Sequence, residues 1–368
     1  MMIRSICKTL ILLIVARVQA LSIPIKVLFD SSNTLHRDTK YHPEQPARID
    51  LCLKALETLS QNVELIDVSP FDTSTKGANI PFSPGQLKYT KELLSEIHAP
   101  ELVESIEAKC HSSRDKRIEE GKDPLGFIGY LDDDTYITTE TYDVCLRAAA
   151  CWVDCVNQVL NGTSPFQVAL TRPPGHHATR LLPNGFCTFN FAAAAAVHGL
   201  KQKCCRKITI LDWDVHYGQG VADIIEDYPD IRYVSMHQVP AFPYQGEMRA
   251  IRGCHKNIMT IPITADSTWT CGYRELFTEK VLPFCSNADW RPDLVIVCAG
   301  YDALASDELA SCNLVAKDYG SMTRLLNGHL DGNVTQIIFG LEGGYQLKDN
   351  APGGNLADAL LETIKALI

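Results

Sequence analysis

The residues of this chain best suited to chemistry are acids and imidazoles at the ends of apolar runs. Ile208-Thr209-Ile210-Leu211 leads into Asp212-Trp213-Asp214-Val215-His216, and the run Leu294 to Cys298 leads to Asp302, eighty-six residues beyond His216. Alternation along an extended chain sends Asp214 and His216 to one face, so a single cation can take an oxygen and a nitrogen from one segment. Asp302 would supply a third ligand from a separate strand. Three protein ligands leave a position open for water, which is the pattern of a catalytic rather than a structural zinc site. Taken alone, an Asp-x-His at a strand end reads more readily as a solvated turn.

The surrounding sequence carries further groups that hydrolysis needs. Arg172-Pro173-Pro174-Gly175-His176-His177 follows the apolar run Phe166 to Thr171, and its prolines stiffen a turn that presents two adjacent imidazoles, a natural acid/base pair. Ile337 to Leu341 runs into Glu342-Gly343-Gly344-Tyr345. Gly343 permits close backbone approach there, and Tyr345 can aim its hydroxyl at a bound carbonyl.

The elements that must hold these groups alternate. Strands are expected at 24–29, 63–66, 166–171, 208–213, 231–236, 257–263, 293–298 and 335–341, mostly continuous apolar runs as in a parallel sheet buried on both faces. Helices are expected at 46–59, 84–97 behind the capping box Ser83-x-x-Gln86, 139–160, 187–202, 272–285, 314–328 and 355–367. The block Ala192 to Ala196 lets a helix press closely on a sheet. The candidate ligands follow strands, and open α/β sheets place their sites at the carboxyl ends of strands. Residues 110–135, charged and glycine-containing, read as a long surface loop.

At 368 residues and 46% hydrophobic content the chain can bury one large core, and no Pro/Gly/Ser-rich linker divides the motifs. Residues 21–368 therefore read as a single catalytic domain. A formal charge of −10 disfavours nucleic acid and suits a cationic substrate, a lysine-rich tail or a polyamine. The first twenty residues differ: Arg4 and Lys8 precede the apolar stretch Leu10 to Ala16, and Val18-Gln19-Ala20 has signal-peptidase spacing. A cleaved targeting segment is expected, too short to span a bilayer, and Arg17 leaves organelle import open beside the secretory pathway. The fourteen cysteines form no disulfide framework, and the sequons Asn161-Gly162-Thr163 and Asn333-Val334-Thr335 add little.

Taken in order, His42-Pro43-Glu44-Gln45-Pro46-Ala47-Arg48, Arg172 to Ala178, Gly185-Phe186-Cys187-Thr188-Phe189-Asn190, Asp212 to Gly220, Ser235-Met236-His237, Ala299 to Ala303 and Leu341 to Tyr345 resemble the histone deacetylase superfamily. That superfamily also holds acetylpolyamine and acetoin-utilisation amidohydrolases, and the resemblance covers roughly residues 25 to 367. It implies the arginase/deacetylase fold, an α/β architecture with a central parallel sheet of about eight strands and helices on both faces. Arg-Pro-Pro-Gly-His-His and Asp-Trp-Asp-Val-His resemble the class II and bacterial branch.

The resemblance also implies roles. Asp214, His216 and Asp302 would bind one zinc ion. His177 would be the main acid/base, His176 a charged partner held by Asp212, and Tyr345 the donor to the developing oxyanion. Phe186 and Phe242, with Gly185, Gly343 and Leu309, would shape a narrow tunnel for an acyl-lysine stem, and Arg48 and Gln219 would stand behind the site. Gln219 departs from class I enzymes, which carry Asp there. An amide stabilises an imidazolium less than a carboxylate does, so His177 should serve better as a base. Tyr217 replaces the family's histidine and receives no role. The family's Phe-Pro-Gly-Thr-Gly loop appears as Phe242-Pro243-Tyr244-Gln245-Gly246, which leaves tunnel width open. A structural potassium ion near Asp212, Asp214, His216, Ser235 and Met236 is implied by the resemblance alone.

Three other readings share much of this pattern. A dimetal ureohydrolase would need more carboxylates, and Leu304 stands where that family has Asp. A catalytically dead binding module would not need the full set of ligands, histidines and tyrosine. A deacetylase of small acetylated amines would use the same catalytic residues, with an acidic gatekeeper at the rim. Asp307 and Glu308 adjoin Leu309, so that choice stays open.

Overall fold

The computed structural model describes residues 24–70, 77–162, 164–330 and 335–368. The expected targeting segment lies outside these residues, as do Thr163 and Asn333 of the two sequons. No helix among the described residues is long and apolar enough to cross a membrane, and the thirteen cysteines described are all free.

The strands are β1 (Ile25–Phe29), β2 (Val63–Asp67), β3 (Ala78–Asn79), β4 (Phe127–Tyr130), β5 (Tyr136–Thr138), β6 (Phe166–Ala169), β7 (Ile208–Asp212), β8 (Ile231–Gln238), β9 (Ala250–Arg252), β10 (Ile258–Ile263), β11 (Leu294–Ala299) and β12 (Gln336–Leu341). Ten form one sheet in the order β3-β2-β1-β6-β12-β11-β7-β8-β10-β9, parallel throughout except for β9. The eight expected strands are its interior, and the two short edge strands carry too few residues to show a pattern. The main helices are α1 (Ala47–Leu56), α2 (Pro84–Ile97), α3 (Pro100–Glu119), α4 (Thr141–Leu160), α5 (Phe191–Leu200), α6 (Gln219–Ile225), α7 (Tyr273–Leu276), α8 (Leu282–Cys285), α9 (Ala316–His329) and α10 (Leu356–Lys365).

Each sheet face has its own core. Along β11, Val295, Val297 and Ala299 join α1, α9 and α10 on one side, while Leu294, Ile296 and Cys298 join α2, α4 and α5 on the other. Period-2 alternation explains why every residue of that strand is apolar. The all-alanine block of α5 is fully buried. In β12 a Cβ added at Gly340 would lie 1.9 Å from the Trp152 ring, so glycine is what lets that indole lie on the strand.

Two expectations need correcting. Residues 110–135 are not one loop: α3 continues to Glu119, and β4 and β5 pair as an antiparallel hairpin. Helix α3 buries only Val103, Ile106 and Cys110, so its sequence reads as polar. The helix expected from 187 begins at Phe191, because the Asn190 side chain accepts a hydrogen bond from the Ala193 N–H and caps it there. The capping box of Ser83 and Gln86 is formed as expected.

Candidate active site

Four neighbouring strands, β6, β12, β11 and β7, converge on one place at their carboxyl ends. The segment 172–177 leaves β6, 342–345 leaves β12, Asp302 follows β11, and Asp214 and His216 follow β7. Neighbourhood in the sheet thus brings together groups that lie far apart in the chain.

Asp214, His216 and Asp302 are buried, and one donor atom of each lies within 4.8 Å of the others, the one such metal-ligand trio among the described residues. His216 Nδ1 is 3.0 Å from Asp302 Oδ2 and 3.3 Å from Asp214 Oδ1. Its Nε2 faces the Leu309 carbonyl at 3.3 Å. Donation from Nε2–H to that carbonyl sets the tautomer and leaves Nδ1 as the inward ligand. Backbone N–H groups hold both carboxylates: Val215 donates to Asp302 Oδ1 at 2.9 Å and Gly343 to Asp214 Oδ2 at 2.7 Å.

The fit to a metal can be tested on shape and charge. A Cβ at Gly343 would lie 2.2 Å from Asp302 Oδ2, and one at Gly300 would lie 2.1 Å from Asp214 Oδ2. Both carboxylates therefore rest directly on glycine backbone. Asp212, Asp214 and Asp302 gather negative charge in a buried space, which favours a bound cation. One imidazole and two carboxylates with oriented outer hydrogen bonds fit zinc.

The two histidines are driven apart electrically. His176 Nδ1 is 3.1 Å from Asp212 Oδ2, which also accepts the Tyr233 hydroxyl at 2.7 Å. Burial opposes charge on His176, but Asp214 and Asp212 outweigh it and raise the pKa to about 10. For His177, burial leads, and the neighbouring His176 charge reinforces it, so its pKa lies well below the usual value. The rings are 3.9 Å apart. His177 Nδ1 lies 2.7 Å from Gln219 Oε1, while Gln219 Nε2 donates to Asn184 Oδ1 at 2.9 Å. That second bond fixes which end of the amide faces the ring, so a neutral His177 carries its proton on Nδ1 and offers Nε2 as base.

A carboxylate at position 219 should reverse that tuning. It would favour the imidazolium and raise the His177 pKa, so more alkali is needed to free the base. In Gln219→Asp the acidic limb of the kcat/KM profile is expected to move to higher pH. A shift to lower pH in paired profiles would contradict the contact.

Tyr345 is buried, and burial raises its pKa well above the ordinary value, so it remains a protonated donor. Arg48 lies 4.8 Å above its ring, donates from Nε to the Gly344 carbonyl at 2.8 Å and donates from Nη2 to the Glu342 carbonyl. Phe186 meets the Tyr345 ring edge-on at 5.7 Å, and Phe242 meets His177 edge-on at 4.9 Å. A Cβ at Gly185 would lie 2.6 Å from Phe242 and 2.8 Å from His177. The residues expected to form a tunnel therefore flank the acid/base and hydroxyl groups. Leu309 is half-buried, and Tyr244 of the altered loop is 74% exposed, so its bulk faces solvent.

Several contributors lie in or near the sequence motifs but received no role from them. Glu342 Oε2 accepts the Gly175 and His176 N–H groups at 2.6 and 3.1 Å, holding the histidine turn. Arg172 forms a paired contact with Glu44 at 2.7 and 2.6 Å, tying the His42–Arg48 motif to the same turn. The hairpin tip reaches the wall as well: Gly185 N–H donates to Asp132 Oδ2 at 3.1 Å and Phe186 N–H to Thr135 Oγ1 at 2.9 Å. Phe186 has φ of +69°, an unfavourable left-handed conformation, and these bonds hold it. That positive φ follows Gly185 in sequence, but no spacing rule announces it. Tyr217 is fully buried beside His237, with ring centroids 4.7 Å apart.

Comparison with known proteins places this geometry. A model of the histone deacetylase domain matches residues 42–357. The chain is 42% identical over 240 residues to "Uncharacterized protein slr0245" of Synechocystis sp., covering 65% of this chain and 74% of that protein. It is 27% identical over 365 residues to "Histone deacetylase 10, chloroplastic" of Oryza sativa, covering 93% and 73%. With "Polyamine deacetylase HDAC10" of Homo sapiens it shares 30% over 286 residues, 76% of this chain but 40% of that protein. The crystal structure of the HDA15 HD domain superposes with a TM-score of 0.76 at 26% identity, covering 94% of this chain and 88% of that one. A domain match across most of the chain, carried on the same fold, makes this chain a member of the histone deacetylase family of hydrolases.

Proposed function

We propose that this deacetylase-family chain is zinc-dependent and removes acetyl or other acyl groups from lysine side chains. The observation that carries the reading is the metal-ligand trio Asp214, His216 and Asp302, beside two histidines of opposite protonation preference. Zinc held by that trio would supply Lewis acidity towards water and the amide carbonyl. His177 Nε2 takes the proton from the attacking water and later delivers a proton to the leaving amine nitrogen as the C–N bond breaks. His176, held cationic by Asp212, keeps positive charge near the forming oxyanion. The Tyr345 hydroxyl donates to that oxyanion. Phe186 and Phe242 line the path of the aliphatic stem.

Among substrates, the side chains near Leu309 favour acyl-lysine over a small acetylated amine. Asp307 is buried and already accepts backbone N–H groups, so it is no free gatekeeper. Glu308 is exposed and accepts the Tyr41 hydroxyl at 2.6 Å. The apolar, half-buried Leu309 is left as the rim residue, its backbone carbonyl 3.3 Å from His216 Nε2. The alternative, an acetylpolyamine, keeps support from Glu308, which could receive a distant ammonium group, and from the name of the human relative. The proposal that residues 21–368 act as one domain is supported by helices packed on both faces of a single sheet. For the potassium ion implied by resemblance, support is limited to Asp212 and Ser235 being register partners on β7 and β8.

The test is a side-by-side assay of the chain lacking residues 1–20 on acetyl-lysine peptide, longer acyl-lysine peptides and N-acetylpolyamines, with and without chelator. Turnover of the acetyl-lysine peptide is expected to exceed that of the polyamines, vanish on chelation and return with zinc. Activity indifferent to chelation would refute the metal-dependent mechanism, and a preference for acetylpolyamines would overturn the substrate reading.

A further inference from the structure

Asp307 lies five residues beyond Asp302 on the segment after β11 and is buried, and that burial, with the Asp302 charge nearby, raises its pKa to about 7. Its side chain accepts three hydrogen bonds, all from backbone N–H groups. Its Oδ2 accepts the N–H of Tyr345 at 2.6 Å and of Gln346 at 3.1 Å, and its Oδ1 accepts the N–H of Leu309 at 3.0 Å. The Leu309 carbonyl in turn faces His216 Nε2 at 3.3 Å. One carboxylate therefore joins the backbone of the tyrosine to the backbone of the residue beside the metal trio.

The opposite side of the tyrosine loop is held differently. Arg48 engages the carbonyls of Gly344 and Glu342 and stacks on the Tyr345 ring, and Gly343 N–H is held by Asp214. Gly344 has φ of +118°, so the backbone just before Tyr345 has conformational freedom that a side-chain-bearing residue would lack. Beyond that glycine, Asp307 takes the N–H groups of both Tyr345 and Gln346, and the Gln346 carbonyl accepts the Leu356 N–H at 3.0 Å further along. Two N–H groups of one short loop held by a single buried side chain make a clamp on that loop.

We propose that Asp307 is a positioning residue that sets the Tyr345 hydroxyl against the substrate carbonyl. This rests on the role given to Tyr345 above. Asp307 touches neither substrate nor metal ligand side chain, and it acts through the tyrosine it holds. Substituting it should therefore cost the catalytic step rather than substrate binding, and should cost nothing once the hydroxyl is gone.

The experiment is a double-mutant cycle on the full chain, with kcat, KM and zinc content measured for wild type, Asp307→Ala, Tyr345→Phe and the double variant. Asp307→Ala is expected to lower kcat by about 10- to 30-fold with KM within about twofold, and to keep wild-type zinc content. In the Tyr345→Phe background the same substitution is expected to lower kcat by less than about twofold. An equal factor in both backgrounds would mean a general structural role and overturn the proposal. Lost zinc would also overturn it, since the effect would then run through Leu309 and His216. Unchanged kcat in Tyr345→Phe alone would remove the tyrosine's role and this proposal with it, a failure recognisable from the single variant. Should the alanine variant not accumulate, Asp307→Asn keeps the volume and one acceptor oxygen, and the same cycle run with it supports or overturns the proposal on the same outcomes.

Discussion

Asp302→Ala is expected to lose tight zinc binding and turnover together. The Asp302 carboxylate is one of the three proposed ligands, and it reaches His216 Nδ1 at 3.0 Å while taking the Val215 N–H on its other oxygen. Its loss leaves two ligands, too few to close a catalytic zinc site, and frees the Val215 amide that orders the segment between the other two. Asp214 would still be held by Gly343, so the fold around it should survive. Metal analysis after dialysis, with circular dichroism as a control for folding, checks the expectation. Full zinc occupancy in a folded variant would defeat the assignment of Asp302 as a ligand.

Tyr345→Phe carries the second large effect. Phenylalanine keeps the ring, and with it the Arg48 contact at 4.8 Å and the edge-on contact with Phe186 at 5.7 Å. Only the hydroxyl leaves, and that hydroxyl is a donor held protonated by burial. Loss of a single oxyanion donor lowers kcat by roughly 10²- to 10³-fold, and KM should change little because the donor acts on charge that develops after binding. Steady-state kinetics on an acetyl-lysine peptide settle it. An unaltered kcat would show that the hydroxyl points elsewhere.

The parts of this molecule readable from sequence are those where one physical demand dominates. Strands β7 and β11 are buried on both faces, so they read as unbroken apolar runs, and the acids that follow them stand out. The trio and the histidine pair are legible for that reason and sit together in the structure, whereas Gln219 beside His177 is implied by the family resemblance. Helix α3 is hidden because it buries one narrow stripe, and the β4–β5 hairpin because a glycine-containing charged segment looks the same whether paired or free. Asp307 is concealed for a subtler cause. An acid next to Glu308 reads as surface, and what buries it are backbone amides thirty-eight residues away, which leave no mark on side-chain pattern.

The chemistry rests on the ends of four adjacent strands, whereas the groups around its entrance come from elsewhere. Phe186 is held by His42 and Thr135 and its neighbour Gly185 by Asp132, Phe242 lies in the segment before β9, and Glu308, on the segment that also carries Asp302, leans on Tyr41. Reactivity and selection thus draw on different segments that meet at Phe242 and at the residues after Asp302. Mutational drift would be felt least by the chemistry at the hairpin tip and at Tyr41, whereas Phe242 packs on His177 and the segment 307–309 touches the Tyr345 loop and His216, so change there would reach both.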